Sequence, residues 1–134
     1  MNELTERIAV TSDQDVVRVR QLVRTVAVAV KLSLVDQTKL VTAASELARN
    51  TLVYGGGGMV EVCRVENGRR HGIRIVFTDR GPGIPDVKLA LTDGYTTGSG
   101  LGLGLSGARR LVDEFDIDTE LGQGTSVTVT KWCR

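Results

Sequence analysis

The sequence predicts an α/β domain, an α+β two-layer sandwich in which a mixed, mainly antiparallel sheet carries helices on one face. Two observations lead to it. Residues 59–66, 72–79 and 125–132 alternate apolar and polar side chains beside glycine or Asn-Gly turns, the period of strands. Ahead of them, apolar residues recur at helical spacing over 16–30 and 40–51. A length of 134 residues suits one domain spanning 1–134. A chain of that size buries roughly two-thirds of its unfolded surface without metals or disulfides.

Charge narrows the functional classes. Seventeen Lys and Arg stand against 16 Asp and Glu, a net charge of +1 with no general attraction to nucleic acid or anionic lipid. Specific sites must carry the function. Cys63 and Cys133 lack metal spacing and fall in strand-like segments, which reads as two reduced thiols in a cytoplasmic protein. No signal peptide is visible, and the longest apolar run, 26–35, is interrupted by Lys31 and Ser33 and is too short to cross a bilayer.

In chain order, residues 7–11 form a short strand that stops at Ser12, an N-cap with Asp13 and Asp15 in the following turn. The helix that starts there places Val16, Val19, Val23, Val26, Ala27 and Val30 on one side, with Arg18, Gln21 and Arg24 mostly on the other. Its valines prefer strands, but spacing outweighs that weak bias. After a break at Ser33 and Leu34, a second helix over 36–54 carries its apolar stripe at Leu40, Ala44, Leu47, Ala48 and Thr51. Glu46 and Asn50 lie one turn apart opposite that stripe, about 40° from each other around the axis. Such a pair is ordinarily a solvated face.

Four glycines, 55–58, end this helix. A hairpin follows, with strands at 59–66 and 72–79, a turn at Asn67-Gly68, and Arg69, Arg70 and the lone histidine, His71, in its loop. Its second strand sets Ile73, Ile75, Phe77 and Asp79 on one side and delivers Asp79 into the turn Thr78-Asp79-Arg80-Gly81-Pro82-Gly83-Ile84-Pro85. Gly81 and Gly83 allow close backbone approach, while Pro82 and Pro85 stop the strand. By itself this is either a capped turn or a carboxylate at the mouth of a pocket, suited to the exocyclic amine of a purine.

A short helix at 86–91 and a polar stretch at 92–100 precede Leu101-Gly102-Leu103-Gly104-Leu105-Ser106-Gly107, which opens a helix running to about Phe115. Residues 117–121, a turn at Gly122-Gln123-Gly124 and a strand over 125–132 close the chain as a second hairpin. Gly102, Gly104 and Gly107 satisfy G-x-G-x-x-G, yet a loop rather than a strand precedes them, so a dinucleotide fold fails on context. No P-loop motif occurs. What remains is either a flexible loop or a glycine-rich lid whose helix N-terminus can hold phosphates.

Together, Ser45-Glu46-Leu47-Ala48-Arg49-Asn50, Asp79 to Gly83, Gly98 to Gly104 and Gly124-Thr125 resemble the Bergerat ATP-binding fold of gyrase-type ATPases, heat-shock chaperone ATPases, histidine kinases and bacterial anti-sigma-factor kinases. The likeness spans nearly the whole chain, which favours the small single-domain serine/threonine switch kinases. The His-Ala-Tyr run usual after the Asn in the anti-sigma branch is replaced by Thr51-Leu52-Val53-Tyr54-Gly55. The resemblance implies ATP and Mg²⁺ as cofactors, with Glu46 as catalytic base, Asn50 coordinating Mg²⁺ and Asp79 accepting from the adenine amine. Gly81 and Gly83 would line the adenine, Gly98, Gly100, Gly102 and Gly104 would form the lid, and Thr125 would support Asp79. It further implies a STAS-domain antagonist as substrate and a PP2C-type phosphatase as the partner activated on release. The lid lacks the basic residue common in relatives, leaving Mg²⁺ and the helix terminus to meet phosphate charge, with Arg49 and Arg109 read as surface residues ahead of phosphate ligands. A nucleotide-gated binding switch with little catalysis, and a direct anti-sigma factor, are the rival readings.

Overall fold

The computed structural model describes residues 5–84 and 104–133. Their elements, in order, are β1 (Thr5–Val10), α1 (Asp13–Ala29), α2 (Leu34–Val53), β2 (Gly58–Asn67), β3 (Arg70–Asp79), α3 (Gly104–Arg110), β4 (Glu114–Glu120) and β5 (Gly124–Trp132). The strands form one sheet in the order β1-β2-β3-β5-β4, and every neighbouring pair is antiparallel. The short helix expected at 86–91 lies outside the described residues.

Alternation along the strands creates the core. Val10, Val60, Val62, Ile73, Ile75, Phe77, Val127 and Val129 are buried on one sheet face. There they meet Val16, Val19, Val23 and Ala27 of α1 and Leu40, Ala44, Leu47 and Ala48 of α2. Burying each of the larger side chains contributes about 1.5–3 kcal/mol. The stripe expected on α1 is borne out except at Val26, which is only partly buried.

Helix ends depart from expectation in instructive ways. Ser12 has the extended backbone of an N-cap, but its side chain caps nothing. Asp15 instead reaches back, its Oδ2 accepting from Thr11 N at 2.9 Å, Thr11 Oγ1 at 3.1 Å and Ser12 Oγ at 3.2 Å. The carboxylate is a strong acceptor and draws the Ser12 hydroxyl in as a donor, while Asp15 N donates to the Ser12 carbonyl at 3.0 Å instead of to its hydroxyl. The Thr11 N–H holds the Asp15 carboxyl below its usual range against the opposing effect of burial, helped by both hydroxyls and Arg18.

At the other end of α1, Leu32 N donates to Ala27 O and Lys31 N to Val28 O, each at 3.0 Å, the paired bonds of a Schellman motif. Lys31 occupies its left-handed position with φ 68. Ser33 then caps α2 through the Asp36 amide at 3.1 Å, so the helix starts at Leu34 rather than Asp36.

The hairpins are longer than the sequence implies. Gly58 opens β2 opposite Asp79, a position where a Cβ would collide with the Thr78 carbonyl. Asn67 pairs with Arg70, which leaves only Gly68 and Arg69 in the turn and puts Arg70 and His71 on β3 rather than in a loop. Gly68 makes so tight a turn possible by taking φ +63.

The helix expected to reach Phe115 stops at Arg110. Asp113 N donates to Thr130 O at 2.9 Å and Phe115 pairs with Val129, so β4 begins at Glu114. Phe115 and Ile117 alternate with Glu114, Asp116 and Asp118, a period of two that overrides helical continuation. Gly124 pairs with Glu120, so the three-residue turn shifts by one position, to 121–123.

The sheet face away from the helices is not wholly solvated. Trp132 is buried there against Gly72, with Nε1 donating to Glu114 Oε2 at 2.7 Å and the Arg70 guanidinium 4.4 Å from its ring. Among the described residues, no helix is long and apolar enough to cross a membrane.

Candidate functional site

The last turns of α2, the end of β3, the β4–β5 turn and the start of α3 meet at one end of the sheet. Asp79 ends β3 and faces the helical side, as its alternation with Ile73, Ile75 and Phe77 requires. Its Oδ1 accepts from Gly81 N at 2.8 Å and from Thr125 N at 3.2 Å. The first bond closes the turn. The second ties the carboxylate to β5, which is why Gly124-Thr125 belongs to the same site despite its distance in sequence.

Gly55, one residue beyond the C-cap of α2, packs directly on the Asp79 side chain, close to Oδ2. Gly81 sits against the Gly55 Cα and the Tyr54 carbonyl, and Gly83, at φ +81, against the Glu120 carbonyl and Leu121. The two glycines predicted from the motif therefore do have close backbone neighbours. Those neighbours are the end of α2 and the β4–β5 turn, and both glycines lack room for a Cβ.

Glu46 and Asn50 are half-buried rather than set on a solvated face. They flank buried Leu47 and Thr51 at the rim of the packed stripe. Glu46 Oε2 accepts from Gly104 N at 3.3 Å, which joins the first sequence motif to the first residue of α3. Gly104 has φ 71, a left-handed entry into the helix. Its partners in the predicted lid, Gly98, Gly100 and Gly102, lie outside the described residues. Arg49 and Arg109 are both exposed.

Two contributors escaped the sequence reading. Gly55 looked only like a helix terminator, and nothing short of the fold shows that its missing side chain makes space for Asp79. Thr119 looked like any strand threonine. Its Oγ1 accepts from Ile84 N at 2.9 Å and lies 2.9 Å from Thr125 Oγ1, linking the Asp79 turn to the second hairpin. The available signal was weak, a hydroxyl placed among carboxylates on a strand that returns toward Gly124-Thr125.

This arrangement holds one carboxylate on backbone donors while leaving its second oxygen beside bare glycine. It also sets a glutamate and an asparagine on one helix rim leading to a helix start. Such a site suits recognition of a flat amine-bearing ring at Asp79 and of polar or charged groups near Glu46 and Asn50.

Comparison with known proteins identifies the family. Residues 35–133 match the family model described as histidine kinase-, DNA gyrase B-, and HSP90-like ATPase. The chain is 41% identical over 127 residues to serine/threonine-protein kinase RsbT of Bacillus subtilis (strain 168), covering 95% of this chain and 96% of that protein. It is 32% identical over 119 residues to the anti-sigma F factor of Clostridium novyi (strain NT), covering 79% of this chain and 81% of that one. Among solved structures, the RsbU and RsbW domains of Rv1364c from Mycobacterium tuberculosis superpose with a TM-score of 0.64 at 21% identity, over 98% of this chain and 32% of that chain, a likeness of fold. The chain belongs to the histidine kinase-, DNA gyrase B- and HSP90-like ATPase family, and within it to the ATP-using serine/threonine-protein kinases of the RsbT type.

Proposed function

We propose that this kinase phosphorylates a serine or threonine of a small STAS-domain antagonist and, once released from it, activates a PP2C-type phosphatase in a cytoplasmic partner-switching circuit. Residues 1–134 act as one kinase domain, and neither nucleic acid nor membrane takes part. The observation that carries the reading is the junction of Glu46 with Gly104 and of Asp79 with Gly55 and Thr125, which joins all the motif segments that are described.

The residues suit Mg-ATP. Asp79 keeps Oδ2 clear of the two amide bonds made to Oδ1, as acceptance from an exocyclic amine requires. Among the described residues, no group of three or more His, Cys, Asp or Glu could hold a metal ion. A cation at Asn50 would therefore be bound largely through nucleotide phosphates and water, a mode that Mg²⁺ accepts. Bound Mg-ATP would supply the transferable phosphoryl group and neutralise its charge.

The chain's own residues then divide the work. Asp79 and Thr125 fix the base, and Gly81 and Gly83 hold the turn close. Asn50 would hold the metal, and Gly98, Gly100, Gly102 and Gly104 would form the lid over the phosphates. Glu46 orients the acceptor hydroxyl and takes its proton on the carboxylate. Phosphoryl transfer generally has a loose transition state, so positioning and charge neutralisation outweigh proton removal, and Asn50 matters at least as much as Glu46.

The test is to mix the protein with Mg-ATP and a STAS-domain antagonist and follow phosphate incorporation. Transfer by wild type that falls at least a hundredfold in Glu46→Ala is expected. No transfer by wild type, or undiminished transfer by Glu46→Ala, would reject the assignment. Similarity to anti-sigma F factors favours one second reading, direct binding of a sigma subunit, which co-purification of a sigma factor instead of a phosphatase would support.

A further inference from the structure

Thr119 stands directly across from Thr125 in the β4–β5 ladder. Its hydroxyl has three neighbours, the Ile84 amide at 2.9 Å, Thr125 Oγ1 at 2.9 Å and the Gly124 carbonyl at 3.2 Å. A hydroxyl offers one proton and two lone pairs, so these contacts constrain one another. The Ile84 N–H can only donate and occupies one lone pair of Thr119. The single Thr119 proton then goes either to Gly124 O or to Thr125 Oγ1.

The two choices give Thr125 opposite characters. If Thr119 donated to Gly124 O, Thr125 would have to spend its own proton on Thr119 and would show only lone pairs to its surroundings. If Thr119 donates to Thr125 Oγ1, the Thr125 proton is free. The Thr125 contact is the shorter, near the usual O–H···O distance, and the Gly124 contact is at the long limit.

We infer that Thr119 is a positioning residue whose hydroxyl donates to Thr125, frees the Thr125 O–H to donate beside Asp79, and thereby makes the site select adenine over guanine nucleotides. The inference rests on the reading of Asp79 as acceptor for the base amine. Adenine presents an amine next to an unprotonated ring nitrogen, the complement of an acceptor at Asp79 and a donor at Thr125, directly or through one water. Guanine presents an oxygen and an N–H in those places and meets an acceptor and a donor in the wrong order. The Thr125 amide already binds Asp79 Oδ1, so both recognition groups move as one unit. Thr119 also anchors the far side of the Asp79 turn through Ile84, alongside the bond from Gly122 N to Pro82 O at 2.9 Å.

Calorimetric titration of Mg-ATP and Mg-GTP into wild type, Thr119→Val, Thr119→Ser, Thr125→Val, the Thr119→Val/Thr125→Val double variant and Asp79→Asn tests this, with melting curves confirming folding. Thr119→Val should weaken ATP about three- to tenfold, the loss of one neutral hydrogen bond, and narrow the ATP/GTP preference by a similar factor. Thr119→Ser should restore both. The double variant should discriminate no less than Thr125→Val alone, because Thr119 acts through Thr125. An unchanged ATP/GTP ratio in Thr119→Val, failure of Thr119→Ser to restore it, or multiplying effects in the double variant would overturn the inference. If Thr119→Val does not fold, Thr125→Val decides, and an unchanged ratio there is equally fatal. Undiminished ATP binding by Asp79→Asn would instead overturn the underlying reading of the site.

Discussion

Gly55 lies so close to Asp79 that a Cβ built on it would stand 2.6 Å from Oδ2 and would collide with the Asp79 side chain. The obstructing atoms include the base of that side chain, so it cannot simply swing aside. Gly55→Ala should therefore weaken ATP at least tenfold in a binding titration. Gly56→Ala is the control. Gly56 has φ +74 and nothing within 4 Å, so alanine there costs about 1 kcal/mol of stability and leaves ATP affinity within about twofold.

Lys131 is 4% exposed, and its Nζ sits 3.6 Å from both Asp36 Oδ1 and Asp113 Oδ1. Removing the ammonium group would leave the buried Asp36 carboxylate without the cation beside it. Lys131→Met should lower stability by about 3–5 kcal/mol in urea denaturation. Adding Asp36→Asn should recover part of that loss. Lys131 pairs with Ile73, near the opposite end of β3 from Asp79, so the ATP affinity of the folded variant should be unchanged.

Lys31 holds a left-handed backbone, φ 68, at the end of α1. Glycine adopts that conformation without a Cβ penalty, and the Lys31 side chain is exposed. Lys31→Gly should raise the stability of the protein by about 0.5–1 kcal/mol, read as a higher melting temperature. A lower one would show that the helix terminus draws on the lysine itself.

Cys133 donates its S–H to Val30 O at 2.9 Å, and burial, aided by Asp36, pushes the thiol above its ordinary range. A group whose folded pKa is raised contributes stability that is fully present below the unfolded value, about 8.5 for cysteine. That contribution fades as pH rises further. The stability of wild type should thus fall more steeply above that pH than the stability of Cys133→Ala, measured by denaturation at a series of pH values. Parallel curves would exclude a role for the thiol.

The sheet, the two long helices and the pieces of the site were legible because they rest on local pattern. Alternation announced Ile73, Ile75, Phe77 and Asp79, and helical spacing announced Leu40, Ala44 and Leu47. Family resemblance, rather than spacing alone, marked Glu46, Asn50 and Asp79 as candidate site residues. Charges on buried positions were not legible. Lys131 and Asp36 each look like surface residues, and only their meeting across the core makes their burial tolerable. Gly55 and Thr119 were missed for a related reason, since the space one leaves and the proton the other holds depend on partners that only folding supplies.

The central claim is that Asp79 recognises the base of a single bound ATP in a site shared with α2 and the β4–β5 turn. Calorimetric titration of Mg-ATP into wild type and Asp79→Asn, both verified as folded, tests it most directly. The account predicts one site per chain in wild type and at least a hundredfold loss of affinity in Asp79→Asn. Equal binding by the two proteins, or no heat from wild type, would contradict it.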